Sequence, residues 1–288
     1  MKPPPFGYSR PESVAEAVAV LASTGPDGKV LAGGQSLVPL LNMRLATPEH
    51  IVDINRLTEL AYVSVADGQV MIGALARHAQ VLADPVVAAA QPLIAQALRL
   101  VAHPVIRNRG TTVGSIVHAD PSGEMSAVLA LLGGTVLLAS TGGERSVSAE
   151  DFFLGPLESD VRPDELATQV SLPVLGARAG CAFAEVSRRN GDYAVCGVAA
   201  MVELDGGGGI SRARAAYLSV AGTPLIADLT EACGAGADLA AAGRLAMARV
   251  SPGSDIHATA AYRRHLAGVL TERALAGALA HAKGRSDG

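Results

Sequence analysis

Two short glycine-bearing stretches hold the residues of this chain best suited to grip a ligand. The first, Leu31-Ala-Gly-Gly-Gln-Ser-Leu37, lies between two apolar runs of different period. Lys29 to Ala32 reads as a strand, whereas Leu37, Leu40, Leu41 and Arg44 fall at i, i+3, i+4 and i+7, as on a helix. Gly33 and Gly34 permit positive φ and close approach to the backbone, and Ser36 is a good N-cap. The first amides of a helix have no partner within it and point outward, so such a turn suits a phosphate or pyrophosphate. A plain turn with a serine cap is the alternative at this point. The stretch matches neither the dinucleotide fingerprint nor the triphosphate loop that ends in Gly-Lys-Ser/Thr.

The second stretch, Arg107-Asn-Arg-Gly-Thr-Thr-Val-Gly-Ser115, combines Gly110 and Gly114 with the hydroxyls of Thr111, Thr112 and Ser115. It offers a second set of donors that could face the same anion. Beyond it, Asp120 and Glu124 could accept from ribose hydroxyls or an adenine amine, or else cap a helix beginning near Ser122. His118 reads as a partner for backbone groups rather than an acid or base. A Gly-x-Ser-x-Gly elbow and a His-Glu-x-x-His pair are both missing from the sequence. No catalytic residue and no metal ligand is expected on this chain. The pattern suits a bound cofactor that performs the electron chemistry itself.

These loops need a scaffold, and the composition allows one. The chain has 288 residues, 49% hydrophobic and 17% charged, which places it among globular proteins of two or three modest domains. A net charge of -4 and the absence of Trp argue against a nucleic-acid partner. The sequence has no apolar run of membrane-spanning length and no secretory pattern at "MKPPPFGYSRPES", so a cytoplasmic location is expected. Cys181, Cys196 and Cys233 are odd in number and widely spaced, and read as small buried residues.

The expected fold class is α+β in three units. Residues 1–56 form a small α/β unit, with a helix around Ser13 to Val18, the strand and turn just described, and a strand at Ile51 to Ile54. Residues 57–175 form a mixed unit. It has a hairpin around Asp67-Gly68, a long helix from about Asp84 to Ala102, a helix through "SAVLALLG", and strands at "TVLLAS" and Leu166 to Leu172. Residues 176–288 carry antiparallel strands, two of them joined through Gly206 to Gly209, and a terminal helix from about Ser254 with a frayed "GRSDG" tail.

Taken in order, "AGGQSLVPLL", "RLATPEHIVDI", "HPVIRNRGTTVGSIVHADPSGEM", "RRNGDYAV" and "YRRHLAGVLTERAL" give the chain a family likeness. It resembles the FAD-binding, or medium, subunit of xanthine-dehydrogenase-family molybdenum hydroxylases, the group that includes carbon monoxide dehydrogenase and quinoline 2-oxidoreductase. The resemblance implies that the first two units form a two-part FAD-binding domain. Ala32, Gly33, Gly34, Gln35, Ser36 and Leu37 would hold the FAD pyrophosphate, with Thr111, Gly114 and Ser115 as the second loop. Val101 and Ala102 would line the site, Asp120 and Glu124 would lie toward the ribose and adenine, and Tyr193 would sit near the flavin ring. It further implies a large subunit with molybdopterin, a small subunit with two [2Fe-2S] clusters, a dimer of heterotrimers and an external electron acceptor. Rival readings are a self-sufficient flavin oxidoreductase and a non-catalytic nucleotide-binding interaction subunit. Two departures from the family pattern stand out. Val113 replaces a glycine and would push the second loop outward, and Glu185 replaces a lysine near the flavin.

Overall fold

The computed structural model describes residues 2–234 and 237–286. Its first unit runs β1 (Gly7–Ser9), α1 (Val14–Thr24), β2 (Gly28–Leu31), α2 (Leu37–Met43) and β3 (His50–Asp53). The strands form a parallel sheet in the order β1-β3-β2. Ser13 caps α1 by accepting from the amide of Glu16, and Ala17, Val18 and Leu21 supply the buried stripe.

The middle unit opens with the hairpin β4 (Val63–Ala66) and β5 (Gln69–Gly73), turned through Asp67 and Gly68, both at positive φ. Helices α3 (His78–Ala83), α4 (Pro85–Ala90) and α5 (Pro92–Leu100) follow. The single long helix expected from Asp84 to Ala102 is therefore two helices. Pro92 has no amide proton and disfavours helical geometry in the residue before it, and Gln91 accordingly stands at φ -144°, ψ 82°. The segment that lacks periodicity forms α6 (Pro104–Arg107) and α7 (Thr112–His118), and α8 (Glu124–Leu132) comes next.

After these come β6 (Thr135–Ser140), β7 (Gly143–Ser148), α9 (Ala149–Phe152), the small ribbon β8 (Phe153–Gly155) and β9 (Glu158–Ser159), and β10 (Leu166–Pro173). The sheet is antiparallel in the order β4-β5-β10-β6-β7. β10 crosses back between β5 and β6, which closes the unit around α7 and α8.

The third unit is an antiparallel sheet of β11 (Ala179–Ser187), β12 (Ala194–Leu204), β13 (Ile210–Leu218) and β14 (Leu225–Asp228), followed by α10 (Thr230–Cys233), α11 (Leu239–Arg249) and α12 (Ala260–Ser286). The final helix begins six residues later than Ser254 and runs through Gly284 and Arg285 rather than fraying there; Asp287 and Gly288 lie outside the described residues. The sheet is buried on both faces. Ala199 of β12 joins the core shared with the first two units, while its neighbours Val198 and Ala200 join a second core beneath α11 and α12. Cys181, Cys196 and Cys233 are all buried.

The alanine-rich composition is used in this second core. Gly180 of β11 lies so close to α12 that a Cβ there would run into the carbonyl of Ala278 and the amide nitrogen of Ala282. Gly180→Ala is expected to destabilise the chain by about 1–3 kcal/mol, as overpacking against backbone does. Urea unfolding checks this, and an unchanged midpoint would contradict the packing described.

Candidate functional site

A cavity of about 500 Å³ opens between the first and middle units. Its first wall is the turn from β2 into α2, where the two glycines have different jobs. Gly34 takes φ +72°, a conformation open mainly to glycine. Gly33 serves contact instead, since a Cβ there would stand 2.5 Å from the Arg109 carbonyl oxygen and 2.8 Å from Gly110 Cα. The first loop thus rests directly on the second. Gln35 donates to the Gly33 carbonyl at 3.0 Å. Ser36 occupies the N-cap position of α2 without capping it, because its backbone is already helical at φ -99°, ψ -47° rather than extended.

The second wall is the start of α7. Thr111 is its extended N-cap and accepts from the Gly114 amide at 3.2 Å; a Cβ on Gly114 would meet that same hydroxyl. Val113 lies in the first turn of α7, with its side chain in the core, and does not take a positive φ. The expectation that this valine displaces the loop is therefore corrected: the position is helical, which a β-branched residue tolerates. Ala102 stands at φ 45°, and Arg107 holds that turn by donating to the carbonyls of Val101 at 2.7 Å and Ala102 at 3.0 Å.

Sequence reasoning passed over His78, which lines the cavity from α3. Its amide donates to the Gly110 carbonyl at 2.9 Å, and its Nδ1 lies 3.1 Å from Thr112 Oγ1. Burial, helped by the Arg107 charge, pushes the imidazole down to about 4, so it is neutral at pH 7. His118 also lines the cavity, and burial lowers its pKa too. Leu157, Val161, Leu166 and Ala167 complete the apolar part. Beside Val161 and Leu166, Arg145 grips both carboxylate oxygens of buried Glu165 at 2.6 and 2.7 Å and reaches Asp160 at 2.7 Å. Nothing in the local pattern of these residues marks them, because the β8–β9 ribbon and the return of β10 bring them here.

Asp120, Glu124 and Tyr193 gather at one side of the cavity. Asp120 accepts from the Ser122 amide at 2.8 Å. Glu124, the first residue of α8, is buried, and its carboxyl is pushed up to about 8, first by burial and then by the charge of Glu185. Glu185 does not line the cavity; its Oε2 is buried without a hydrogen-bond partner, and burial raises its pKa to about 7. Tyr193 is 64% exposed and so stands at the open side. Desolvation of its hydroxyl, then the charges of Asp120 and Glu124, raise its pKa. Asp120, Asp192 and Tyr193 also border a second cavity of about 270 Å³. All the binding residues singled out from sequence, from Ala32 to Leu37 through Val101, Ala102, Thr111, Gly114 and Ser115 to Asp120, Glu124 and Tyr193, line the one larger cavity.

Residues 4–175 match the FAD binding domain in molybdopterin dehydrogenase, and residues 181–278 match the CO dehydrogenase flavoprotein C-terminal domain. The chain belongs to the FAD-binding medium subunits of molybdenum hydroxylases. It is 40% identical to the 6-hydroxypseudooxynicotine dehydrogenase complex subunit alpha of Paenarthrobacter nicotinovorans, over 98% of this chain and 97% of that one. It is 35% identical to the carbon monoxide dehydrogenase medium chain of Hydrogenophaga pseudoflava, over 96% and 97% of the two chains. Among solved structures, quinoline 2-oxidoreductase from Pseudomonas putida superposes with a TM-score of 0.92 at 36% identity, covering 99% of this chain and 100% of that chain. As a medium subunit the chain carries FAD, and the cavity fits it: the glycine contact leaves backbone exposed along two loops, and apolar walls flank them.

Two outcomes follow from this geometry. Gly33→Ala is expected to push the loops apart and weaken FAD binding about tenfold or more, as read by quenching of flavin fluorescence; unchanged affinity would contradict the contact. Glu124 keeps its proton in the folded chain where the unfolded chain has lost it. Its contribution is full below the ordinary glutamate pKa and declines as pH rises toward about 8. Glu124→Gln removes that decline, so the stability of the variant relative to wild type should grow between about pH 5 and pH 8. Urea midpoints across that range check it, and a pH-independent difference would count against a buried protonated Glu124.

Proposed function

We propose that this chain is the electron outlet of a molybdenum hydroxylase complex, with FAD held non-covalently between its two glycine loops. The observation that carries this reading is the meeting of the loops at Gly33 and Arg109, which lines one cavity with backbone from two units. When bound, FAD supplies a carrier that can take electrons one at a time and release them in pairs.

The protein residues bind, orient and exclude water. Backbone from Ala32 to Leu37 and from Thr111 to Ser115 holds the pyrophosphate, with the hydroxyls of Ser36 and Ser115 as further donors. Val101 and Ala102 pack along the ligand, and Tyr193 shields one face of the flavin from the open side. Asp120 and Glu124 sit beside Tyr193, so we place their hydroxyl contacts on the ribityl and ribose part rather than at a distant adenine. Glu124 holds its proton at neutral pH and can therefore donate as well as accept. In this reading residues 1–56 and 57–175 are the two parts of the FAD domain and residues 176–288 the C-terminal domain.

The partners are a large molybdopterin subunit and a small subunit with two [2Fe-2S] clusters, assembled as a cytoplasmic dimer of heterotrimers. Relatives of known structure include a Cu,Mo carbon monoxide dehydrogenase, which supports a molybdenum-bearing partner. Electrons arrive from the clusters and leave to an external acceptor. A self-sufficient oxidoreductase would need an ionisable base free to act on substrate; of the two histidines in the cavity, His78 is tied to Thr112, which leaves His118 as the candidate such an enzyme would have to use.

Reconstitution tests the proposal. Large and small subunits without this chain should still have their clusters reduced by substrate but fail to turn over with the acceptor. Adding the FAD-loaded chain should restore turnover, and adding the FAD-free chain should not. Substrate oxidation by the FAD-loaded chain alone would overturn the outlet reading in favour of the self-sufficient enzyme.

A further inference from the structure

Behind the two loops, outside the cavity, runs a chain of side-chain hydrogen bonds that no cofactor contact requires. Tyr8 Oη donates to Asp53 Oδ2 at 2.5 Å, and Asp53 Oδ1 accepts from both the amide and Nδ2 of Asn55, at 2.9 and 2.6 Å. Asn55 Nδ2 also donates to the Ala32 carbonyl at 2.8 Å, the residue that opens the first loop. Arg77 Nη2 donates to Asn55 Oδ1 at 2.7 Å, and its Nη1 donates to the Arg109 carbonyl at 2.6 Å. The Arg77 backbone forms a β-bridge with Thr111. Neither Asn55 nor Arg77 lines the cavity, and both are partly buried.

We propose that Asn55 and Arg77 form a strap that sets the spacing of the two cofactor loops, which makes them positioning residues for FAD. The Arg109 carbonyl that Arg77 grips is the one against which Gly33 rests. Asn55 spends one amide group on each loop: its Nδ2 holds Ala32, and its Oδ1 holds the arginine that holds Arg109. The guanidinium suits this role because its planar fork reaches two acceptors at fixed geometry. Asp53 and Tyr8 anchor the strap to the parallel sheet, so loop spacing is referred to β1 and β3 and not to the ligand. The cofactor then finds its donors already placed, and less binding energy goes into ordering them.

The strap's role in binding rests on the reading that these loops hold the FAD pyrophosphate, and two readouts on the full-length chain separate the two ideas. Hydrogen exchange of the ligand-free chain tests the strap itself. Asn55→Ala and Arg77→Ala should each speed exchange in both loops, residues 32–36 and 110–115, by about tenfold, the order of one lost hydrogen bond. The double variant should exchange more slowly than the product of the two single effects predicts, because the Asn55–Arg77 bond is common to both changes. The hairpin at residues 63–73 should exchange as in wild type. Arg77→Lys keeps the charge and stem and should also loosen both loops, which guards against misfolding of the alanine variants. FAD titration should then show affinity about tenfold weaker in each variant. Exchange that quickens only in the first loop for Asn55→Ala, or stays at the wild-type rate in Arg77→Lys, would overturn the strap. So would wild-type FAD affinity in all variants. Coupled loosening in a chain that binds no FAD even as wild type would support the strap and refute the cofactor reading.

Discussion

The site depends on one close contact, the backbone of Gly33 against the carbonyl of Arg109. The two loops belong to different units, one a parallel sheet and the other an antiparallel sheet with helices, and residues of both line the cavity. Bringing two stretches of backbone this near requires that one carry no side chain, and it requires that the polar groups behind them be satisfied. Arg77 and Asn55 meet the second requirement from outside the cavity, and His78 from its wall, through bonds to Arg109, Ala32 and Gly110. Donors are thereby freed to face inward.

The electrostatics of the opposite side follow from burial. Two glutamates of like charge, Glu124 and Glu185, are placed in poorly solvated positions with no basic partner among their hydrogen bonds, so both hold protons to unusually high pH. The lysine expected from the family pattern at position 185 would have carried the opposite charge there. In this chain the side chain is half-buried and is not part of the cavity wall, and its charge bears on Glu124.

Much of this was legible in the sequence for local reasons. The strand, glycine turn and helix at Lys29 to Arg44, the Asp67-Gly68 hairpin and the strands around Gly206 to Gly209 are each specified by short-range patterns, and the structure contains all of them. Failures came where a local rule was overridden or where position depends on topology. Apolar periodicity runs unbroken from Asp84 to Ala102, but Pro92 divides the helix regardless. β7, β14, α10 and α11 carry patterns too weak for a short-range rule to pick out. The cavity residues on α7 and α8 could be named from their types, whereas Leu157, Val161 and His78 arrive through chain crossings that no local spacing encodes. At Val113 the reverse held: a family pattern suggested strain, and the helical backbone carries none.

The claim that the two loops hold FAD is tested most directly by the chromophore of the purified full-length chain. Acid precipitation should release FAD at about one per chain, the stoichiometry expected of a single such cavity. The colourless apoprotein should then regain its flavin absorption on addition of FAD. A folded chain that releases no flavin and takes up none when FAD is supplied would contradict the account at its centre.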